Sequence, residues 1–506
     1  MVALYSPEYA NDFSGTALLE CQGMTEAEYV DVLIVGAGLS GIGSARHLQK
    51  ECPDRRFLLL ESRERLGGTW DLFRYPGIRS DSDMYTLGYT FKPWPERKAL
   101  ADGPSILRYL KETASETGVD QHIRYGHRVT GASWSSETDC WTVSAERVGE
   151  GRIEFRCGFL MMCSGYYDYK QGYTPEFAGR DEFGGTIVHA QHWPEDLDYK
   201  GKRVVVIGSG ATAVTLVPEL ARHTMRTTML QRSPTYIASI PEEDSWSTRL
   251  HGKLPSSWVY RLVRWKRVVL QIFIFNLSRR KPHFVKKLLL GEVRKQLGKD
   301  YDIAKHFTPT YNPWDQRLCA VPDGDMFDAI RSKRAEVVTD HISHFTETGI
   351  HLKSGQDLEA DIIVLATGLN MQFIGGASLT VDGKDMQPHE LFVYKGMMLA
   401  NVPNLVQVFG YTNASWTLKS DLTAMFVCRI LNRMRRTGTT VAVPTMASGE
   451  VEEDPMLDFT SGYVLRAMDN FPRQGKRLPW RVYQNFIIDF LNLRLRPLKD
   501  KVLRFR

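Results

Sequence analysis

Two short apolar runs, each ending in a glycine-rich turn, constrain this chain more than any other feature. Val30-Asp31-Val32-Leu33-Ile34-Val35 leads into Gly36-Ala37-Gly38-Leu39-Ser40-Gly41, and Val204-Val205-Val206-Ile207 leads into Gly208-Ser209-Gly210-Ala211-Thr212-Ala213. Such β-branched runs read as strands buried on both faces, the kind found in parallel sheets. Gly36 permits a tight turn. Gly38 lacks a Cβ, so its backbone can approach a pyrophosphate. Gly41 lets the following helix pack close to its strand. The helix start then presents N–H groups to phosphate charge. Phe57-Leu58-Leu59-Leu60 reads as the next strand, and Glu61 closes it where a carboxylate accepts hydrogen bonds from ribose hydroxyls. The expected fold is α/β, with two doubly wound, Rossmann-like dinucleotide-binding units.

The second turn differs from the first. Its third small residue is Ala213, and the strand Thr227-Thr228-Met229-Leu230 runs into Gln231-Arg232-Ser233 instead of an acid. An acid there would repel a 2′-phosphate, whereas arginine can pair with it bidentately. Gly208, Ser209, Gly210, Thr212, Ala213, Arg232 and Ser233 are therefore expected to bind NADPH in preference to NADH.

The chain has 506 residues, too many for one core. The pattern predicts a loose extension over 1–29 and a first dinucleotide unit over 30–165. A linker and the start of the second unit follow over 166–240, then a helical insertion over 241–309. The second unit returns over 310–362, and the first unit returns with a C-terminal segment over 363–506. A net charge of +5 is small for this length and excludes nucleic acid as an expected partner. Seven scattered cysteines, odd in number and without metal-ligand spacing, predict a reducing, cytoplasmic setting with no metal and no structural disulfide. No basic segment followed by an apolar core opens the chain, so no secretory signal is expected. No apolar run reaches the ~20 residues that span a bilayer.

Between the two turns lies Phe183-Gly184-Gly185-Thr186-Ile187-Val188-His189-Ala190-Gln191-His192-Trp193-Pro194, which fits F-x-G-x3-H-x3-W-P. With the turns in this order, the chain resembles the type I Baeyer–Villiger monooxygenases, single-chain flavoproteins that use FAD and NADPH. The related flavin-containing N/S-monooxygenases carry a similar element that typically ends without Trp-Pro. In two-dinucleotide flavoproteins a segment like Arg65-Leu66-Gly67-Gly68-Thr69-Trp70 runs beside the FAD. The resemblance therefore adds Gly68, Thr69 and Trp70 to Gly36, Gly38, Gly41 and Glu61 as FAD-site residues. It also sets Thr367, in Ala366-Thr367-Gly368, at a strand end next to the flavin. The C-x4-C pair of the disulfide reductases is missing; the nearest cysteines are Cys52 and Cys140.

Arg74-Tyr75-Pro76-Gly77-Ile78-Arg79-Ser80-Asp81 resembles the family's R-Y-P-G-x-R-x-D segment, and Asn312-Pro313-Trp314-Asp315-Gln316-Arg317 the segment carrying its active-site arginine. The resemblance implies that Arg317 stabilises the anionic C4a-peroxyflavin that attacks a ketone, and that Asp81, beside the cofactor, orients the guanidinium. An arginine keeps its proton at sites where a buried lysine readily loses it. The implied substrates are a ketone or sulfide and dioxygen, and the implied product of ketone oxidation is an ester or lactone. Phe183, Gly185, His189 and Trp193 are implied to couple domain movement to NADPH use. Similar enzymes often place a second basic residue where this chain has Gln316, which predicts a weaker NADPH preference here. Gly410-Tyr411-Thr412-Asn413-Ala414-Ser415-Trp416-Thr417, Asp71-Leu72-Phe73-Arg74 and Ser80-Asp81-Ser82-Asp83-Met84-Tyr85 resemble the subgroup that includes the mycobacterial thioamide-prodrug activators. That likeness runs from about residue 30 to 500. The alternatives are an N/S-monooxygenase acting on soft nucleophiles, and a membrane-surface flavoprotein with an interaction or redox-sensing role.

Residues 251–297 hold many Lys and Arg, with Glu292 as the one acid, around the apolar run Val268-Val269-Leu270-Gln271-Ile272-Phe273-Ile274-Phe275. Two readings stand. The segment is a helical insertion packed on the NADPH unit, walling the substrate pocket, or it makes peripheral contact with an anionic membrane.

Overall fold

The computed structural model describes residues 27–316, 318–447, 449, 451–457, 460–498 and 500–506. Of the expected extension, 1–26 lie outside the described residues. The first strand, Glu28–Val35, begins two residues ahead of the expected Val30.

That strand lies inside a nine-stranded sheet, parallel to Phe57–Leu60 on one side and to Gly151–Met162 on the other. Val35 faces Leu60 and Met162, so the three strands end level. An antiparallel meander, His127–Ser135 with Cys140–Arg147, extends the sheet beyond Gly151–Met162. Leu405–Gln407 also joins Gly151–Met162 in parallel, which brings the late chain back to the first unit. The helix Leu39–Glu51 is covered in turn by the helix Trp416–Thr437, whose Phe426, Ile430 and Leu431 share one apolar core with Val32, Ile34 and Leu59.

The second sheet has five parallel strands in the order Ala335–Thr339, Arg226–Gln231, Arg203–Ile207, Ile362–Leu365 and Thr186–His189. The boundary expected at 362/363 falls inside a strand. Ile362–Leu365 is fully buried and hydrogen-bonded on both sides within the second sheet, so the chain leaves that unit only after Leu365. The Phe183–Pro194 motif supplies the edge strand Thr186–His189 of this sheet.

Both turns are built the same way. Gly36 has φ 106° and Gly208 φ 141°. A Cβ at Gly36 would lie 2.6 Å from the Cys163 carbonyl oxygen, and one at Gly208 2.3 Å from that of Ala366. Each glycine is thus wedged beneath the end of the neighbouring strand, where only a residue without a side chain fits.

The insertion folds as Ser245–Leu250, Ser256–Arg280 and Pro282–Leu297. It bridges both units instead of packing on the second alone. The long helix sends Val259, Tyr260 and Val263 into the first unit's core, while Val293 of the next helix enters the second's. Arg264 fastens the long helix by donating to the carbonyls of Tyr85 at 2.7 Å and Gly88 at 2.8 Å. Among the described residues no helix is long and apolar enough to cross a membrane.

Candidate active site

One cavity of about 480 Å3 runs from the C-terminal ends of the first sheet's strands to the start of the helix Ala211–Leu220 in the second unit; Gly208, Ser209 and Gly210 lie outside its lining. Its wall takes Gly36, Gly38 and Glu61 from the first unit, Gly68, Thr69 and Trp70 from the glycine-pair segment, Asp81, and Thr212 from the start of the helix Ala211–Leu220. Glu61 is fixed by backbone. Its Oε2 accepts the Ala37 N–H at 2.8 Å and its Oε1 the Arg63 N–H at 3.0 Å. Burial raises its pKa, and those N–H bonds oppose the rise. A carboxylate has about four acceptor positions, so lone pairs remain for hydroxyls in the cavity. Gly38 and Gly68 face each other so closely that a Cβ on Gly38 would sit 3.5 Å from the Gly68 Cα.

Asp71, wholly buried, holds this floor in place. Its carboxylate lies 2.7 Å from Arg63, 2.8 Å from Arg74 and 3.5 Å from Arg65. One anion thereby ties the glycine-pair segment to the Arg74–Asp81 segment. Asp71 is buried while its arginines keep partial access to solvent, so removing the arginines would strand the carboxylate.

The opposite wall is aromatic, and its first half was not anticipated from the sequence. Tyr166 stacks on Trp416, with ring centroids 5.1 Å apart, and meets Tyr167 at 4.2 Å. Trp416 Nε1 donates to Ser40 Oγ at 2.8 Å, and the Tyr169 and Thr69 hydroxyls pair at 3.1 Å. Burial pushes the Tyr169 phenol up to about 12. The run Tyr166-Tyr167-Asp168-Tyr169, directly after Ser164-Gly165, was the available signal. A glycine floor for a diphosphate, a fixed carboxylate for a ribose and a flat aromatic wall for a ring system fit a flavin dinucleotide.

The second unit's rim is more open. Ser209 Oγ donates to the Ser233 carbonyl at 3.0 Å, tying the turn to the strand end. Gln231 is turned inward, its Nε2 donating to the His306 carbonyl at 2.8 Å and Thr339 Oγ1 at 2.9 Å. Arg232 and Ser233 are left exposed, and nothing lies within 4 Å of a Cβ built on Gly210. The strand Arg226–Gln231 runs into an exposed guanidinium instead of an acid, which fits the 2′-phosphate of NADPH, and Asp340 stands at the end of the neighbouring strand, its N–H donating to the Gln231 carbonyl at 3.0 Å. Ala213 is buried beneath this rim, as Gly41 is beneath the first turn.

The remaining expected residues are spread more widely. Thr367 does not line the 480 Å3 cavity. Its hydroxyl donates to the Tyr173 carbonyl at 2.6 Å while the Tyr173 N–H donates to Gly368 at 3.0 Å, so it clamps the two crossings between the units. His189 sits against Gly172 beside that clamp and lines a separate cavity of about 600 Å3 with Tyr173, His192 and Arg466. Its Nδ1 accepts the Gln191 N–H at 3.1 Å, and burial lowers its pKa. Phe183 and Trp193 are buried in the second unit. A Cβ on Gly185 would lie 2.5 Å from the Phe183 ring. Arg317 lies outside the described residues. The segment before it is pinned by Asp315 to Arg279 at 2.9 Å, and Trp314 adopts a φ of 71°.

Fold and site together define a protein with two dinucleotide-binding units that share one cavity. The chain belongs to the flavin-binding monooxygenase-like family, whose pattern matches residues 30–443. It is 53% identical over 479 residues to the FAD-containing monooxygenase EthA of Mycobacterium tuberculosis H37Rv, covering 94% of this chain and 98% of that protein. It is 48% identical over 480 residues to the probable FAD-binding monooxygenase AlmA of Acinetobacter baylyi, covering 94% and 96%. Among solved structures, the cyclohexanone monooxygenase of Rhodococcus sp. Phi1 bound to NADP+ superposes with a TM-score of 0.70 at 20% identity, over 83% of this chain and 87% of that one. A steroid monooxygenase bound to NADP gives 0.69 at 24% identity, over 82% and 88%.

Proposed function

We propose that this chain is an FAD- and NADPH-dependent monooxygenase that inserts one atom of dioxygen beside a ketone carbonyl, giving an ester or lactone, and that also oxidises sulfides. The observation that carries this reading is the cavity shared by Gly38, Glu61 and Gly68 of the first unit and Thr212 of the second. A hydride donor held at one turn reaches an acceptor held at the other only if both open onto one space. The FAD of EthA and AlmA, and the NADP of the solved neighbours, support the same cofactor pair.

Gly36, Gly38, Glu61, Gly68 and Thr69 would hold FAD, and Ser209, Thr212, Arg232 and Ser233 would hold NADPH. FAD supplies electron storage and dioxygen activation when bound. The rest falls to the chain's own residues. Glu61 orients a ribose, and Tyr166 and Trp416 keep the cavity apolar and poor in water. Asp81 orients Arg317, whose guanidinium stabilises the negative charge at the oxygen that adds to the ketone carbonyl. His189, beside the clamp of Tyr173 and Thr367, couples movement of the units to NADPH turnover.

Arg317→Ala tests this reading. Flavin reduction by NADPH, followed by stopped flow, should stay near the wild-type rate. Ester formation should fall roughly 10²–10³-fold, about 3–4 kcal/mol of barrier. Sulfide oxidation should suffer less. Wild-type ester formation by the variant would remove Arg317 from the chemistry. If the wild-type protein makes sulfoxide but no ester across a ketone panel analysed by product mass, the N/S-monooxygenase reading replaces this one.

A further inference from the structure

The long insertion helix Ser256–Arg280 is apolar on two sides. Val259, Tyr260 and Val263 are buried, whereas Trp258, Leu262, Trp265, Val269 and Phe273 are 41–61% exposed. Their spacing of three and four residues sets the exposed group on one face. A second outward stripe runs beside it. Ile487, Leu491 and Leu495 of the C-terminal helical segment are 39–61% exposed, and Trp265 contacts the rings of Phe486 at 5.8 Å and Phe490 at 6.1 Å. Phe284 and Leu288 of the next insertion helix are exposed as well. A contiguous apolar face on this scale marks a binding surface.

Charge selects the occupant. Arg261 flanks the stripe and Arg280 ends it, while Lys281, Lys287, Arg294 and Lys295 are exposed nearby. Glu292 is the one acid between residues 251 and 297. A second copy docked here would set these cations against each other. An anionic lipid surface meets both the charges and the apolar stripe, and tryptophan suits the boundary between headgroups and acyl chains.

Behind the face, a seam leads inward. A cavity of about 10 Å3 lies between Ile272 and Phe275 of the long helix, Phe486, and Ala414; Ala414 also lines the 480 Å3 cavity. Gln271 Oε1 and Asn413 Oδ1 are buried in this seam and have no hydrogen-bond partner among the described residues. Unsatisfied buried acceptors cost free energy in the closed seam, which lowers the cost of opening it.

We propose that this face docks on the anionic surface of a lipid bilayer and that the seam admits apolar, long-chain ketones dissolved in it. The substrate half rests on the ester-forming reading above. The test uses the FAD-loaded full chain in flotation with vesicles of phosphatidylglycerol and phosphatidylcholine, and of phosphatidylcholine alone. Two variants accompany it, Leu262→Gln/Val269→Gln/Phe273→Gln and Arg280→Glu/Lys281→Glu/Lys287→Glu. All six positions are exposed, so flavin content and Tm should hold. The wild type should float with the anionic vesicles, and each variant should bind at least roughly tenfold more weakly. Turnover of a short, water-soluble ketone should not change, whereas apparent KM for a long-chain alkan-2-one carried in vesicles should rise about tenfold in the apolar variant. Wild type that stays unbound, or floats no better than the variants, overturns the docking. So does a wild-type dimer that the apolar variant converts to monomer. Equal KM values for the vesicle-borne ketone overturn the entry route. Loss of ester from both ketones overturns the ester-forming reading, while flotation still decides the docking.

Discussion

At Gly36 and at Gly208 the chain makes the same contact, a positive-φ glycine beneath a carbonyl of the neighbouring strand's end, yet the two turns meet different surroundings. Around the first, Glu61 is buried and held by two N–H groups, Gly68 closes over Gly38, and the helix Trp416–Thr437 covers the turn's own helix. Around the second, Gly210 faces open space and Arg232 and Ser233 lie at the surface. Burial on every side suits a group that stays bound. An open rim with a surface cation suits one that arrives and leaves in each turnover, because exposed charge contacts form quickly and cost little to break. We propose that the same local motif serves as a resident site in one unit and an exchange site in the other.

Substituting the paired glycines should break this comparison most strongly. Gly36→Ala forces an L residue to φ 106° with its Cβ 2.6 Å from a carbonyl oxygen, a cost of ~3 kcal/mol or more. The purified variant should lack flavin, read from its absorbance. Gly210→Ala meets no protein atom and should keep full flavin content, but its Cβ enters the space where the NADPH pyrophosphate is expected, so KM for NADPH should rise roughly tenfold or more.

The next effect is a pH dependence confined to the first unit. His47, on the covered helix, is buried. Burial opposes its charge, but hydrogen bonds to Asp421 and Glu51 outweigh that and raise its pKa from 6.5 to about 9. A group whose folded pKa is raised stabilises fully below its unfolded value, and the contribution is lost as pH rises through the folded one. Between pH 6.5 and about 9 this contribution, on the order of 3 kcal/mol, should fade and flavin release should accelerate. His47→Gln should flatten that part of the profiles of Tm and flavin fluorescence against pH.

The smallest effect belongs to the open rim. Arg232→Ala should lower kcat/KM for NADPH roughly tenfold, about 1–1.5 kcal/mol, with little change for NADH and none in flavin content. An unchanged NADPH/NADH ratio would remove Arg232 from cofactor selection.

Much of this contrast was legible in the sequence. The apolar runs, the glycine spacing, Glu61 at one strand end and Arg232 at the other are local patterns, and local patterns survive in a linear reading. What was not legible depends on distant partners. Tyr166 meets Trp416 from 250 positions away in the sequence, and no periodicity predicts that stack. Asp71 draws in Arg63, Arg65 and Arg74 only once their loop closes. The 362/363 boundary failed because a fully buried strand reads the same whichever sheet it joins. The insertion's contact with both units was hidden because apolar residues on two sides of one helix do not say which side meets which core. Thr367 and His189 gather at the crossings between the units, a place defined by chain topology and not by sequence spacing.

We propose that the two turns hold their cofactors differently, one enclosed and one at an open rim. Dialysis of the FAD-loaded protein in the presence of NADP+, with both followed by absorbance in the retained and outer solutions, tests it directly. The account predicts that flavin stays with the protein at one per chain while NADP+ equilibrates within minutes, and that Arg232→Ala alters only the NADP+ affinity. Flavin and NADP+ leaving together, or Arg232→Ala releasing flavin, would contradict it.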